Sequence, residues 1–238
     1  KAYGSPQSPI SSGVAIQPGS ALYFSAGAVP TVGGDMKAQA LSALASLKSR
    51  MAEAGVGFCL APVYHPGMRH LGPVRKELGV PTTFNFLGPL LNPARVTRQV
   101  VGVSDPAMAT RMLHALHASG SERAMIVHGD DGLDEFTTTT TSTVYEMVGG
   151  QVRTTTVDPA ELGLARVAPE ALRGGDVEHN ADAVRAVLGG QPGARREVAL
   201  LNTAAVLVVA DVAPDLAAGV AAAAEAIDSG TAAATVMR

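Results

Sequence analysis

An apolar run of four residues, Ala124-Met125-Ile126-Val127, empties into a glycine- and aspartate-rich turn. Such a run, closed by turn residues, reads as a buried strand. A second apolar run, Gln99 to Val103, lies ahead of it. Between the two, Asp105-Pro106 supplies an N-cap and a first helical position for a helix to about His117. Strands alternating with helices in this way predict an α/β fold, a central and largely parallel sheet flanked by helices.

The rest of the chain fits that frame. Leu41, Leu44, Leu47 and Met51 form one stripe of a helix between Gly34 and Ala54. Gly57 to Ala61 is a short strand, Pro66 to Leu78 a helix kinked at Gly72-Pro73, and Pro81 to Asn85 is strand-like. Leu87 to Arg95 is a loop broken by prolines. Val144–Met147 and Gln151–Val157 flank Gly149-Gly150, the signature of a β-hairpin. Asn180 is expected to cap a helix stopped by Gly189-Gly190. Val198 to Val212, apolar nearly all round, is expected to be a fully buried helix. A last Ala-rich helix ends near Ser229-Gly230. Residues 1 to about 35 are rich in Ser, Gly, Pro and Ala, and only Ser20 to Ala28 suggests a strand. The organisation is thus an atypical N-terminal segment, 1–50, followed by an α/β domain, 51–238.

Composition narrows the function. At 238 residues and 47% hydrophobic, the chain has ample material for a core. Its net charge of -3 offers no electrostatic case for nucleic acid or an anionic membrane. The single cysteine, Cys59, excludes an intramolecular disulfide and fits the reducing cytoplasm. The apolar run from Leu216 to Ile227 is too short to span a bilayer. The chain opens on Lys1, not methionine, so its natural start is expected upstream.

Three constellations carry chemistry. After Val127 comes His128-Gly129-Asp130-Asp131-Gly132-Leu133-Asp134-Glu135 and a run of threonines, Thr137 to Thr141. Four carboxylates at a strand end repel one another unless solvent, basic groups or a hard cation neutralises them. Mg²⁺ prefers one or two carboxylates with phosphate oxygens and water. A metal-phosphate site and a solvated acidic turn both satisfy the pattern, and the polar run Thr137 to Thr143 is expected to form a β-branched strand. The second constellation is Tyr64-His65-Pro66-Gly67-Met68-Arg69-His70 with Arg75 and Lys76, suited to an anion or to an ordinary basic helix face. The third, Asn85 to Ala94, is a rigid Pro/Gly loop that would shape a pocket wall or simply cross over.

Taken in order, Phe58-Cys59-Leu60-Ala61-Pro62, His65-Pro66, Arg69-His70, Pro73-Val74-Arg75, Phe84-Asn85, Leu87-Gly88-Pro89-Leu90, Asn92-Pro93, Val127-His128-Gly129 and Asp131 to Glu135 resemble the anthranilate phosphoribosyltransferases. Gly174-Gly175-Asp176, Asn180-Ala181, Leu201-Asn202-Thr203-Ala204-Ala205 and Ile227-Asp228-Ser229-Gly230 extend the resemblance over roughly 51–238. It implies the phosphoribosyltransferase fold of the nucleoside phosphorylase and anthranilate transferase type. It also implies transfer of a phosphoribosyl group from phosphoribosyl pyrophosphate to anthranilate in tryptophan biosynthesis. By the same resemblance Asp134 and Glu135 would hold Mg²⁺, Arg75 would grip the anthranilate carboxylate, and His65 and Met68 would line its approach.

The first fifty residues depart from the family. Its Gly-Thr-Gly-Gly-Asp pyrophosphate cradle, Asn-Ile-Ser-Thr stretch and Lys-His-Gly-Asn-Arg segment are not found there, and Thr31 to Asp35 is only a superficial likeness of the first. The family's homodimer forms through a small helical domain that these residues do not include. The resemblance therefore implies impaired transfer by this chain. Two other readings stay open: a catalytically silent or truncated homologue, and a related pyrimidine nucleoside phosphorylase.

Overall fold

A computed structural model of the chain describes residues 14–15, 77, 86–90, 96–148 and 150–236. In chain order the elements are β1 (Val14–Ala15), α1 (Leu87–Leu90), β2 (Arg98–Gly102), α2 (Pro106–Ala118), β3 (Arg123–Gly129), β4 (Ser142–Val148) and β5 (Gln151–Val157). Two 3₁₀ turns, Pro159–Leu162 and Pro169–Leu172, lead to α3 (Val177–Leu188), α4 (Ala194–Val209), α5 (Leu216–Asp228) and α6 (Thr231–Val236). The sheet order is β1-β2-β3-β4-β5.

The strand–helix–strand unit forms as its signals dictate. Asp105 accepts from the Ala107 amide at 3.0 Å, Pro106 sits in the first turn, and α2 buries Ala109, Met112, Leu113 and Leu116. Its crossover makes β2 and β3 parallel, with Val101 opposite Ile126. The alternation of side chains along β3 then divides the core into two layers. Ala124 and Ile126 pack with Val101, Val103 and α2, while Met125 and Val127 pack with Val144, Leu200, Leu201 and Ala205 under α4 and α5. Burying each such aliphatic chain contributes about 1.5–3 kcal/mol.

The α/β fold is as expected, but the described part of the sheet is mixed. Only β2 and β3 are parallel there; β3–β4 and β4–β5 are antiparallel, as is the short β1–β2 pairing. The antiparallel β4–β5 pair follows from its short connection, since a parallel pair needs a crossover of a dozen or more residues. The expected hairpin is present, with Val148 opposite Gln151. Among the described residues β5 is an edge strand, and it exposes Arg153, Thr154 and Thr156.

Several local expectations change. Thr137 to Thr141 is irregular and β4 begins only at Ser142. Asp176 rather than Asn180 caps α3, accepting from the His179 amide at 2.8 Å. Asn180 lies one turn in and reaches back to Gly175, accepting from its amide at 2.9 Å and donating to its carbonyl at 3.0 Å. The apolar helix expected over 198–212 is α4, and it is buried on one side only: Asn202, Thr203 and Leu207 are half-buried. It stops because Asp211 adopts a left-handed φ of 58°. There the Asp211 carboxylate receives both Arg98 and Arg123, and Arg98 also donates to the Val209 carbonyl at 2.9 Å. The Arg98 hydrogen bond, opposed in part by burial, holds the Asp211 carboxyl below the usual range. Leu87–Leu90, expected as loop, forms one helical turn with Pro89 buried. The strands expected at 20–28, 57–61 and 81–85, the helix at 34–54, Cys59 and residues 91–95 lie outside the described residues, as does all of the 66–78 helix except Glu77, which is helical. No described helix is long and apolar enough to cross a membrane.

Helices α4 and α5 touch backbone to backbone. A Cβ at Gly219 would lie 2.8 Å from Ala204 Cα and 2.9 Å from its carbonyl oxygen. In an open helix Gly→Ala gains about 0.8–1 kcal/mol, but overpacking costs roughly 1–3 kcal/mol. Urea unfolding of Gly219→Ala is expected to show net destabilisation; unchanged or higher stability would refute the contact.

Candidate functional site

The site grows from the end of β3, where Gly129 leaves the sheet. Its amide donates to the Leu133 carbonyl at 2.9 Å, and the Gly132 amide donates back to Gly129 at 2.7 Å, closing a tight turn. Asp130 and Asp131 accept donors from the loop and the start of β4. Asp130 accepts the Thr143 hydroxyl at 2.8 Å and that of Thr141. Asp131 accepts the Leu133 amide at 3.2 Å on Oδ1, and the Thr137 hydroxyl at 2.7 Å and that of Thr139 on Oδ2. Threonines expected as a plain strand are thus the donors that neutralise the aspartates. Hydroxyls do this without adding charge.

Asp134 and Glu135 follow on the outer side of the turn. The Asp134 carbonyl runs so close to β2 that a Cβ on Gly102 would lie 1.4 Å from it. Only glycine permits that approach. Next comes Phe136, fully buried, whose amide donates to Asn202 Oδ1 and whose carbonyl accepts from Asn202 Nδ2, both at 3.0 Å. The same Nδ2 donates to the Val198 carbonyl at 3.0 Å. A half-buried amide on α4 therefore satisfies both backbone groups of the residue after the carboxylate pair. Behind the loop, His128 Nδ1 lies 2.9 Å from the Val103 carbonyl; a protonated Nδ1 donating there ties together the ends of β2 and β3.

The electrostatics favour a cation. Part of the Glu135 side chain is open to solvent, yet burial around its carboxyl pushes the pKa from 4.5 up to about 7, with repulsion from Asp134 and then Asp131 adding to the rise. Among the described residues no salt bridge reaches Glu135. Among the described residues no three His, Cys, Asp or Glu side chains converge to hold a metal unaided. Hard oxygen donors, few in number, fit Mg²⁺ shared with phosphate and water rather than a fully protein-ligated metal. His65, Met68 and Arg75 lie outside the described residues. Asn202 went unread in the sequence as a site element, although an amide within the mainly apolar stretch 198–209 is a signal for a polar partner.

Residues 39–233 match the model of the glycosyl transferase family, a/b domain. The chain is 52% identical to the anthranilate phosphoribosyltransferase of Azorhizobium caulinodans over 188 residues, 79% of this chain and 55% of that protein. With its namesake from a Nocardioides species it shares 52% identity over 194 residues, 79% and 57% of the two chains. The crystal structure of the Thermus thermophilus anthranilate phosphoribosyltransferase superposes with a TM-score of 0.74 at 40% identity, covering 81% of this chain and 57% of that one. The Saccharomyces cerevisiae enzyme in complex with PRPP and Mg superposes with a TM-score of 0.74 at 29% identity, over 81% and 56%. The chain thus spans somewhat more than half the length of the curated relatives it matches.

The raised Glu135 pKa sets a pH dependence. The unfolded chain releases this proton near 4.5 and the folded chain near 7. The protonated carboxyl therefore favours folding fully below about 4.5, and that contribution is lost as pH rises to about 7. Denaturation midpoints across this window should fall more for the parent than for Glu135→Gln. Parallel profiles would show that Glu135 titrates normally.

Proposed function

The chain belongs to the glycosyl transferase family, carrying its a/b domain over residues 39–233, and on that premise we propose that it is the catalytic domain of an anthranilate phosphoribosyltransferase. The observation that carries this reading is the loop after β3. Asp130 and Asp131 are tied off by threonine hydroxyls, while the Asp134–Glu135 pair sits on backbone anchored by Gly102 and Asn202. Its acidity suits Mg²⁺ accompanied by a pyrophosphate. The names of the relatives, and the PRPP and Mg in the yeast complex, support the same assignment.

The chemistry asks for positioning rather than a strong base. The amine of anthranilate is unprotonated near neutral pH and needs no activation. Mg²⁺, when bound, neutralises charge on the departing pyrophosphate. Asp134 and Glu135 would hold it, and the anchored loop would keep them from rearranging during transfer. Arg75 would hold the anthranilate carboxylate through a two-pronged hydrogen bond, with His65 and Met68 lining the approach. The reaction belongs to tryptophan biosynthesis, and Cys59, the chain's one cysteine, fits a cytoplasmic setting.

Calorimetry with Mg²⁺ and pyrophosphate tests the metal side. Asp134→Ala combined with Glu135→Ala should abolish metal-linked heat while the fold persists; an unchanged Mg²⁺ dependence would sink the assignment. On the acceptor side, Arg75→Lys keeps charge but loses the fork, so anthranilate capture should weaken by roughly 1–3 kcal/mol. Equal affinity would rule out direct contact. Residues 1–50 carry no glycine cradle for the pyrophosphate, so these 238 residues alone should turn over far below the roughly 1 per second of ordinary enzymes. Anthranilate fluorescence measures this, and ordinary turnover would refute it.

A further inference from the structure

We propose that Thr137 and Thr139 are positioning residues for the Asp134–Glu135 pair, acting through the carboxylate of Asp131. This rests on the assignment of that pair to the metal. One carboxylate grips the loop on both sides of the pair. Asp131 Oδ1 takes the amide of Leu133, immediately before Asp134, and Oδ2 takes the hydroxyls of Thr137 and Thr139, beyond Phe136. Only residues 134–136 lie between these anchor points.

The hydroxyls are themselves fixed. Thr137 is fully buried, its amide donates to the Ser142 hydroxyl at 3.0 Å, and its Oγ1 accepts the Thr139 amide at 3.0 Å. Both oxygens of Asp131 thus have donors inside the loop, which makes it a strut and not a ligand. A carboxylate held this way has its oxygens taken by loop donors and does not compete with the pair for its cation. Alternate residues Thr141 and Thr143 hold Asp130 by the same device, and the Asp130 amide donates to the Thr141 carbonyl at 3.0 Å, so the loop is braced along its length.

The test uses Mn²⁺ alone as the probe, its free-ion spin-resonance signal reporting binding to the whole chain. Thr139→Val removes the hydroxyl at nearly constant shape, whereas Thr139→Ser keeps it. The valine variant should bind Mn²⁺ roughly tenfold or more weakly, and the serine variant within about twofold of the parent, with similar thermal midpoints for the two. Equal Mn²⁺ binding by the valine variant and the parent overturns the positioning role. Equal loss in both variants also overturns it, since keeping the hydroxyl would then not preserve binding. If Thr139→Val does not fold, Thr137→Ser against Asp131→Asn gives the same comparison: Mn²⁺ binding kept in the first and lost in the second supports the strut, and equal binding overturns it. Asp134→Ala with Glu135→Ala separates the two claims. Loss of binding there with none in Thr139→Val defeats only the strut, while unchanged binding there defeats the metal assignment.

Discussion

Every feature of the site depends on satisfying backbone polar groups in a segment that leaves a sheet and immediately becomes buried. Phe136 is fully buried only one residue after an acidic pair. Without Asn202, its amide and carbonyl would lack partners, and each buried unpaired group costs about 1–3 kcal/mol. The side-chain amide supplies one donor and one acceptor in a fixed arrangement, as a neighbouring strand would. That single exchange lets the chain bury an aromatic anchor directly beside charged groups, and so holds those charges at the surface with little freedom.

The two sides of the sheet divide the work. Helix α2 and the parallel β2–β3 pair set the strand ends, so that Gly102 and His128 stand behind the acidic loop. Helices α4 and α5 close the other face and deliver Asn202 from above. At the opposite end of the strands, Asp211 gathers Arg98 of β2 and Arg123 of β3 at the stop of α4. Helix α4 is thus fastened to the strands by ions at one end and by a half-buried amide toward the other. Surface ion pairs add little individually, so the amide and the aliphatic layers carry the docking of α4.

What could be read from sequence was what has a local cause. The Asp105-Pro106 start of α2, the strands on either side and the Gly149-Gly150 hairpin follow from neighbouring residues alone. The Thr137 to Thr141 run misled because β propensity describes a half-buried pleated surface, while these hydroxyls found carboxylates within the same loop. Asn180 gave way to Asp176 because both residues can cap, and only the one placed ahead of the first turn reaches its open amides. The acidic residues were visible as a group, but the hold of threonine hydroxyls on Asp130 and Asp131 depends on three-dimensional placement. Gly102 and Asn202 act across the fold and leave no mark at their own positions beyond residue type.

The bond between Phe136 and Asn202 joins residues 66 apart in sequence. Strands β3, β4 and β5, by contrast, pair with their immediate neighbours, contacts that close cheaply and early. The meander can therefore assemble around an acidic loop that is still unsettled, and the loop takes its final shape only when α4 docks. Amide exchange at Phe136 is expected to follow the opening of α4, which carries the acceptor of that amide. Any event that loosens α4 at a distance reaches the backbone beside the carboxylate pair through this one amide, which ties the docking of the helix to the placement of those two side chains.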